Sequence, residues 1–374
     1  MKYKGLNLEN VKNNNRSAIL NILNNLGAMS RKDIAEKTGL TPASVTLICT
    51  ELLEEGVIYE LGEMVEEKRA GRKKISVDIN PTYKYILCIC IESDETYIAI
   101  TDCKGQIIES MVTETDKKNK PEKFLKKIAV DSTKLLWEVG IPKDKLLGAA
   151  VSLPGKVDRK KGISLNTFSI WTEPVPVAEI LRNELSINVV VENNLKASAE
   201  SELLFGYGKD HDDLVILKWG PGVGSAIIMR HKIYQGSGGL AGEIGHVSLG
   251  KGGKKCNCGK TGCLETELSV KAIKEDMAAA AGNKAKEKKI MKDKLDKLAF
   301  AMRNYVSLVD PSKVILIGPM FDDPEVYNGF IEAYKEYDES IPDCFFARSK
   351  VAFNASHTDP LATALNEWFF SAGK

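Results

Sequence analysis

The sequence lacks both an excess of charge of one sign and a long apolar run. Its 52 Lys and Arg residues are balanced by 51 Asp and Glu residues, for a formal net charge of +1. That balance excludes attachment to nucleic acid or to an anionic membrane by bulk charge, but it does not exclude a local basic surface. No apolar run approaches the ~18 residues that span a bilayer, and the first twenty residues lack the apolar core of a signal peptide. We therefore expect a cytoplasmic protein that does not bind membranes.

Histidine is scarce, with four in 374 residues, and the eight cysteines are unevenly spread. Cys256, Cys258 and Cys263 cluster in KCNCGKTGC, and in a reducing cytoplasm such a cluster indicates a metal site rather than disulfides. A tetrahedral structural zinc needs a fourth ligand beside three thiolates. His246, in GEIGH, is the natural candidate. We expect one structural zinc per chain; three unrelated thiols in a glycine loop are the alternative.

Residues 1–80 carry the local signals of a winged helix-turn-helix, although this segment is nearly neutral, with 12 basic and 11 acidic side chains. Ser30 is the expected N-cap of a second helix that ends at Gly39, and Thr41 is the expected N-cap of a third. Small or uncharged side chains on the outer face of the third helix suit close approach to base edges in the DNA major groove. This face is Ala43, Ser44, Thr46 and Leu47, and the expected DNA contacts of this region are Thr41, Ala43, Ser44 and Thr46.

A charged hairpin follows the third helix, between strands expected at 57–61 and 74–79. Its tip carries Arg69, Arg72 and Lys73, which would enter a minor groove or meet phosphates. Acidic residues share the hairpin, and charge runs are usually only solvated. The alternative is therefore a small helical interaction domain with a solvated loop.

The rest of the sequence is predicted to form two similar α/β units. Strand-turn-strand patterns recur with turns near Lys104 and His231, and each is followed by helices and an isolated strand. A duplicated α/β unit is the simplest interpretation, and chance similarity between hairpins is the alternative. We expect three domains: the DNA-binding domain at 1–80, a first α/β lobe at 81–195, and a second lobe at 196–374 with the zinc loop and the C-terminal helices.

These motifs resemble the ROK family, which comprises repressors, open reading frames and sugar kinases. GLAGEIGHVSLG followed by CNCGKTGCLE resembles the family signature. GLTPASVT and AGRKK resemble the winged-helix arm of its sugar-responsive repressors, an arm that the family's kinases lack. The resemblance implies an actin-like, sugar-kinase-like fold of two α/β lobes, with a small sugar bound in the cleft between them.

The resemblance also implies which residues contact the sugar. Carboxylates, amides and imidazole suit this task because they form directional hydrogen bonds with vicinal hydroxyls. His246 would use one ring nitrogen for zinc and the other for sugar, so that the metal fixes its tautomer. By motif, the sugar-binding residues would be Asn193, Glu243, His246, Glu265, Asn166 and Gly155.

Compared with the kinases of the ROK family, this sequence lacks features that phosphoryl transfer requires. ROK kinases place a catalytic Asp directly after the sugar-binding Asn, but here that position is Asn194, and an amide cannot act as a general base near neutral pH. Where the kinases have a glycine-rich phosphate cradle, this sequence has Glu92, Ser93 and Asp94. The glycine loop 220–224 is retained, but alone it is a weak phosphate signal. We therefore expect no kinase activity and no catalytic residue.

The expected function is a DNA-binding transcriptional regulator, most simply a repressor of carbohydrate-utilisation genes controlled by a small sugar. Pairs of subunits would place two recognition helices on a pseudo-palindromic operator, so we expect a homodimer or homotetramer on double-stranded DNA. Two alternatives stay open. One is a ROK-type sugar kinase with a regulatory DNA-binding arm, and the other is a DNA-binding protein that responds to no ligand.

Overall fold

The computed structural model describes residues 8–63, 75–167, 170–280, 282–351 and 355–370. These residues fall into two compact units. The first holds the residues up to Leu204 together with the last described segment, and the second begins at Phe205. Within the described residues no helix is both long enough and apolar enough to cross a bilayer.

The N-terminal part of the first unit is a winged helix-turn-helix, as the sequence predicts. Its three-stranded antiparallel sheet has the order β1-β3-β2, and β1 adds two residues that the sequence prediction missed. The inner face of the third helix is buried, at Val45, Ile48, Cys49 and Leu52. The elements are α1 (Leu8–Leu26), β1 (Met29–Ser30), α2 (Arg31–Thr38), α3 (Pro42–Glu54), β2 (Ile58–Glu63) and β3 (Ile75–Ile79).

Caps define where α2 and α3 begin and end. The Ser30 hydroxyl accepts a hydrogen bond from the Asp33 amide at 3.3 Å, and Gly39 ends α2 in the left-handed conformation with φ 71°. The Thr41 hydroxyl accepts from the Ser44 amide at 3.2 Å. These bonds satisfy amides that a helix start leaves without intrahelical partners, so the turn between α2 and α3 is set by local sequence.

A five-stranded mixed sheet follows, with the order β10-β7-β4-β5-β6. β4 pairs antiparallel with β5 and parallel with β7. The parallel strands are continuous apolar runs because helices cover their faces. The elements are β4 (Tyr85–Ile91), β5 (Glu95–Asp102), β6 (Ile107–Glu114), α4 (Pro121–Glu138), β7 (Leu146–Leu153), β8 (Lys156–Asp158), β9 (Ile163–Asn166), α5 (Val177–Leu185), β10 (Val189–Asn193) and α6 (Asn194–Phe205).

The second unit repeats this topology with the order β13-β12-β11-β14-β15. β11 pairs antiparallel with β12 and parallel with β14, as β4 does with β5 and β7. The expected duplicated α/β fold is therefore confirmed. The elements are β11 (Leu214–Trp219), β12 (Val223–Met229), β13 (Lys232–Ile233), α7 (Glu265–Leu268), α8 (Val270–Ala279), α9 (Lys284–Val309), β14 (Lys313–Ile317), α10 (Pro319–Asp322), α11 (Pro324–Lys335) and β15 (Phe346–Arg348).

The chain then returns to the first unit through α12 (Ala355–Ala364). A Cβ atom on Gly105 would lie 2.9 Å from Leu361, and one on Gly148 would lie 2.5 Å from the Trp368 ring. The domain prediction placed all residues from 196 onward in the second lobe, whereas the structure groups α12 and nearly all of α6 with the first unit. The reason is packing: the buried residues Leu361 and Leu365 cover apolar strands far away in sequence.

Candidate functional site

Four side chains in the second unit form a cluster that suits a metal ion. The ligand atoms of His246, Cys256, Cys258 and Cys263 all lie within 4.8 Å of one another. Cys258 Sγ and Cys263 Sγ are 3.6 Å apart, as are Cys256 Sγ and His246 Nδ1. Tetrahedral zinc with Zn–S bonds of about 2.3 Å spaces its sulfur ligands by roughly 3.8 Å. The predicted residues thus have the donor chemistry and spacing of a structural zinc site.

Tight turns shape the loop that carries the thiols. The Cys256 amide donates to Lys260 O at 2.8 Å, across a turn in which Gly259 has φ 89°. Gly262 has φ 75°, and a Cβ there would lie 2.3 Å from Gly252 O. Any other residue at this position would therefore displace the backbone that brings Cys263 to the cluster.

The three predicted sugar contacts of the second unit lie beside the cluster. His246 turns Nδ1 towards the thiols, and its Nε2 lies 3.8 Å from Glu243 Oε2. Glu265 begins α7, and its carboxylate accepts from the Val223 amide at 3.4 Å. Burial raises the pKa of Glu265; His246 lowers it and Glu243 raises it. The two carboxylates and the free face of the imidazole form one polar group of the kind that holds sugar hydroxyls.

The retained glycine loop has a structural use in this arrangement. A Cβ on Gly222 would lie 2.8 Å from Glu265 Oε2, and one on Gly245 would lie 3.4 Å from the same oxygen. The glycines make room for a carboxylate rather than leaving an open cradle.

The predicted sugar contacts of the first unit also lie together. Asn193 Nδ2 donates to Gly155 O at 2.7 Å, and its Oδ1 accepts from the Leu195 and Lys196 amides at 3.0 and 3.1 Å. Gly155 has φ 86°, and a Cβ there would lie 2.0 Å from Asn166 O. Asn193 thus caps α6 and fixes the Gly155 turn, and one N–H of its amide has no part in these bonds.

Asn194 has a partner that the sequence reasoning did not foresee. Its Nδ2 donates to Glu92 Oε1 at 3.0 Å. By the family motif, position 194 holds a catalytic Asp in the kinases and position 92 lies in their phosphate cradle. Here these two positions form an amide–carboxylate pair. An Asp at 194 would place two carboxylates in contact. The available sequence signal is that both positions depart from the kinase pattern.

A cluster of charged side chains lies next to Asn193 and contacts its backbone amide through Glu192. No sequence signal indicated this cluster. Arg159 Nη1 donates to Glu192 and Glu200 at 2.7 Å each, and Nη2 donates to Glu367 at 3.0 Å. Burial lowers the pKa of Arg159, but the Glu200 and Glu192 carboxylates more than offset this and raise it. Burial raises the pKa of Glu192, Glu200 adds to the rise, and Arg159 opposes it. Glu192 also accepts from the Asn193 amide at 2.8 Å.

The predicted DNA-contact face of α3 faces solvent. Thr41, Ala43 and Thr46 are exposed, and Ser44 is half-buried with its hydroxyl 2.9 Å from that of Thr41. Leu47, on the same side, is 61% exposed. A short, uncharged surface of this kind fits against base edges. The predicted wing residues Arg69, Arg72 and Lys73 lie outside the described residues.

Comparison with known proteins identifies the family. Residues 86–352 match the model of the ROK family. The chain belongs to the ROK family. Residues 12–59 of this ROK protein match a winged helix-turn-helix DNA-binding model. The expected resemblance is confirmed for both parts of the chain.

Relatives and solved structures agree with this assignment. The ROK protein is 27% identical over 281 residues to the xylose repressor of Bacillus subtilis (strain 168), covering 75% of this chain and 70% of that relative. A crystal structure of a ROK family transcriptional regulator, a homologue of the E. coli Mlc protein, has a TM-score of 0.80 at 22% identity and covers 96% of this chain and 98% of that one. A ROK hexokinase from Thermus thermophilus has a TM-score of 0.65 at 22% identity and covers 76% of this chain and 98% of that one. These structures share the fold.

Proposed function

We propose that this ROK protein is a transcriptional repressor that binds operator DNA and responds to a small sugar. The observation that carries the proposal is the capped winged helix-turn-helix, with its exposed uncharged α3 face, on a chain whose ROK part keeps Glu243, His246 and Glu265 together. The similarity to a xylose repressor supports control of carbohydrate genes. Because operator DNA is the partner, the protein acts in the cytoplasm.

The sugar contacts we propose are those that the family motif indicates. Glu243 and Glu265 accept hydrogen bonds from sugar hydroxyls, and His246 Nε2 takes part from the side opposite the thiols. In the first unit, Asn193, Asn166 and Gly155 are the corresponding contacts. Asn193 and Glu265 are held by hydrogen bonds at helix starts, so these two side chains are preorganised for directional bonds.

We propose that His246, Cys256, Cys258 and Cys263 hold one structural zinc ion. When bound, zinc supplies charge that keeps the thiols ionised. The imidazole is then fixed with Nε2 beside Glu243. The role is structural, because all four positions of a tetrahedral ion are taken by protein ligands.

We further propose that the protein transfers no phosphoryl group. Asn194 cannot take a proton from a sugar hydroxyl, and its amide is already bonded to Glu92. Glu92 and Asp94 stand where the kinases have the glycines of their phosphate cradle. The two changes remove the base and place negative charge where phosphates would lie.

We infer that α6 links sugar to DNA within the first unit. Its N-terminus is capped by Asn193, and near its C-terminus Leu204 O accepts a hydrogen bond from Asn24 of α1 at 3.1 Å. Lys104 and Asp78 form an ion pair that also joins the wing strand β3 to the first sheet. A change at Asn193 therefore reaches α1 through a rigid helix. A dimer or tetramer would set two α3 helices about 34 Å apart on a pseudo-palindromic operator.

One experiment tests the proposed function. A duplex is selected from a random pool with the purified protein, and monosaccharides are then screened for release of that duplex by fluorescence anisotropy. We expect Glu243→Ala to bind the duplex normally and to lose the sugar response. If the wild-type sugar concentration also releases the duplex from Glu243→Ala, Glu243 is not a sugar contact. If no duplex can be selected, the proposal that the protein is a DNA-binding regulator is wrong.

A further inference from the structure

The second unit contains an open pocket that belongs to neither the sugar contacts nor the metal cluster. It has a volume of about 560 Å³ and lies beside the edge strand β15 and the start of α11. Lys313, Arg348, Tyr207, Tyr327 and Asn328 line it, and none of its lining residues is acidic. Its lining therefore carries positive charge alone.

The cations of this pocket have no acidic partners within the described part of the chain. Among the described residues, no carboxylate oxygen lies within 4.0 Å of the charged nitrogens of Lys313, Arg348 or the neighbouring Lys350. Lys313 is only 6% exposed and donates to Cys344 O, a neutral group. Arg348 Nε is buried without a hydrogen-bond partner. Burial of such groups is unfavourable unless an anion compensates them.

Two tyrosine rings hold the cations in place. The Arg348 guanidinium lies 4.4 Å from the centre of the Tyr327 ring. Lys350 Nζ lies 4.4 Å, and Lys313 Nζ 5.4 Å, from the centre of the Tyr207 ring. Cation–π contacts orient positive groups without neutralising them. The rings therefore orient the three cations and leave their positive charge uncompensated.

We propose that this pocket binds a small phosphorylated metabolite. Arg348 offers a planar fork of donors that matches phosphate oxygens, and Lys313 and Lys350 add compact charges. The tyrosine rings give the organic part of the ligand an apolar surface, and the Asn328 amide offers a directional bond. The protein would thereby respond to a phosphorylated compound independently of its sugar contacts.

Isothermal titration of the full chain with phenyl phosphate and with inorganic phosphate, in chloride buffer of constant ionic strength, tests the proposal. We expect saturable binding of one ligand per chain, with phenyl phosphate the tighter. Arg348→Gln should weaken binding at least tenfold, and Lys350→Gln, at an exposed position, several-fold. The matched control is Lys335→Gln, on α11 and paired with Asp343, which should bind as the wild type does.

Two results would overturn the site: the absence of saturable binding by either probe, and unchanged affinity in both Arg348→Gln and Lys350→Gln. Because Lys350 is exposed, its variant decides the matter if Arg348→Gln fails to fold. Equal affinity for the two probes would overturn the role of the rings. Operator binding and sugar release, measured on the same variants, should stay at wild-type values, which separates this test from that of the proposed function.

Discussion

The two α/β units share one strand order but treat their polar groups differently. In the first unit the predicted site residues bond to groups of the same unit: Asn193 to Gly155 and Asn194 to Glu92. In the second unit Glu243 remains about half exposed, and among the described residues the cations beside β15 have no acidic partners. The two units thus share a topology but differ in how many of their polar groups are bonded within the unit.

The largest expected effect concerns the proposed zinc site of the second unit. Cys258→Ser deletes one thiolate of the metal cluster without adding bulk, and structural metal sites contribute directly to folding. We expect metal analysis to show loss of zinc and the melting temperature to fall by roughly 10 °C. Cys344→Ser, an exposed cysteine outside the cluster, should change neither. Full zinc content in Cys258→Ser would disprove the ligand assignment.

The second prediction removes the cation that compensates the buried carboxylates of the first unit. Arg159→Met leaves Glu192 and Glu200 buried without their cation, at a cost of about 3–5 kcal/mol in the free energy of unfolding. Urea denaturation measures it. Lys161→Met, exposed and two residues away, is the control and should be nearly neutral.

The same variant makes a pH prediction with a defined sign. Burial and then Glu200 raise the pKa of Glu192 in the folded protein. A carboxyl with a raised folded pKa contributes stability at low pH that is lost as the pH rises through that pKa. Without Arg159 the pKa rises further, so Arg159→Met should recover stability relative to wild type towards about pH 5. A constant difference between pH 5 and 8 would contradict this.

The third prediction tests whether the hydrogen bond between Asn194 and Glu92 stabilises the fold. Asn194→Asp should cost about 1–2 kcal/mol at neutral pH, because two carboxylates would then meet at hydrogen-bonding distance. The double variant Asn194→Asp with Glu92→Gln should restore most of this stability. Neither variant should phosphorylate a hexose with ATP, since positions 92–94 still lack the glycines of a phosphate cradle. Additive effects in the double-mutant cycle would show that the pair does not interact.

The smallest effect concerns the link from α6 to α1. Asn24→Ala removes the bond to Leu204 O, and we expect the factor by which sugar weakens operator binding to fall two- to fivefold. Operator affinity without sugar should change little. Asn21→Ala is the control, because the Asn21 side chain bonds within α1, to Ser17 O. An unchanged coupling factor in Asn24→Ala would exclude this route.

Local features were predictable and were predicted well. α2 and α3 begin at the expected caps, and α2 ends at Gly39, because caps and glycine turns act within a few residues. The metal loop was equally clear, since the three cysteines lie within eight residues of sequence and constrain one another. The two-residue strand β1 was missed because only its pairing with β3 defines it.

The helix caps, the cysteine-rich loop, the duplicated strand pattern and the family can all be read from the sequence. Three features emerge only from the folded chain: α12 returns to the first sheet, Arg159 meets Glu367 across 208 residues, and Asn194 faces Glu92 across 102. The reason is the distance along the chain over which each interaction acts. A cap or a turn is fixed by neighbours in the chain, whereas the partner of a buried charge is fixed by which distant apolar surfaces pack together.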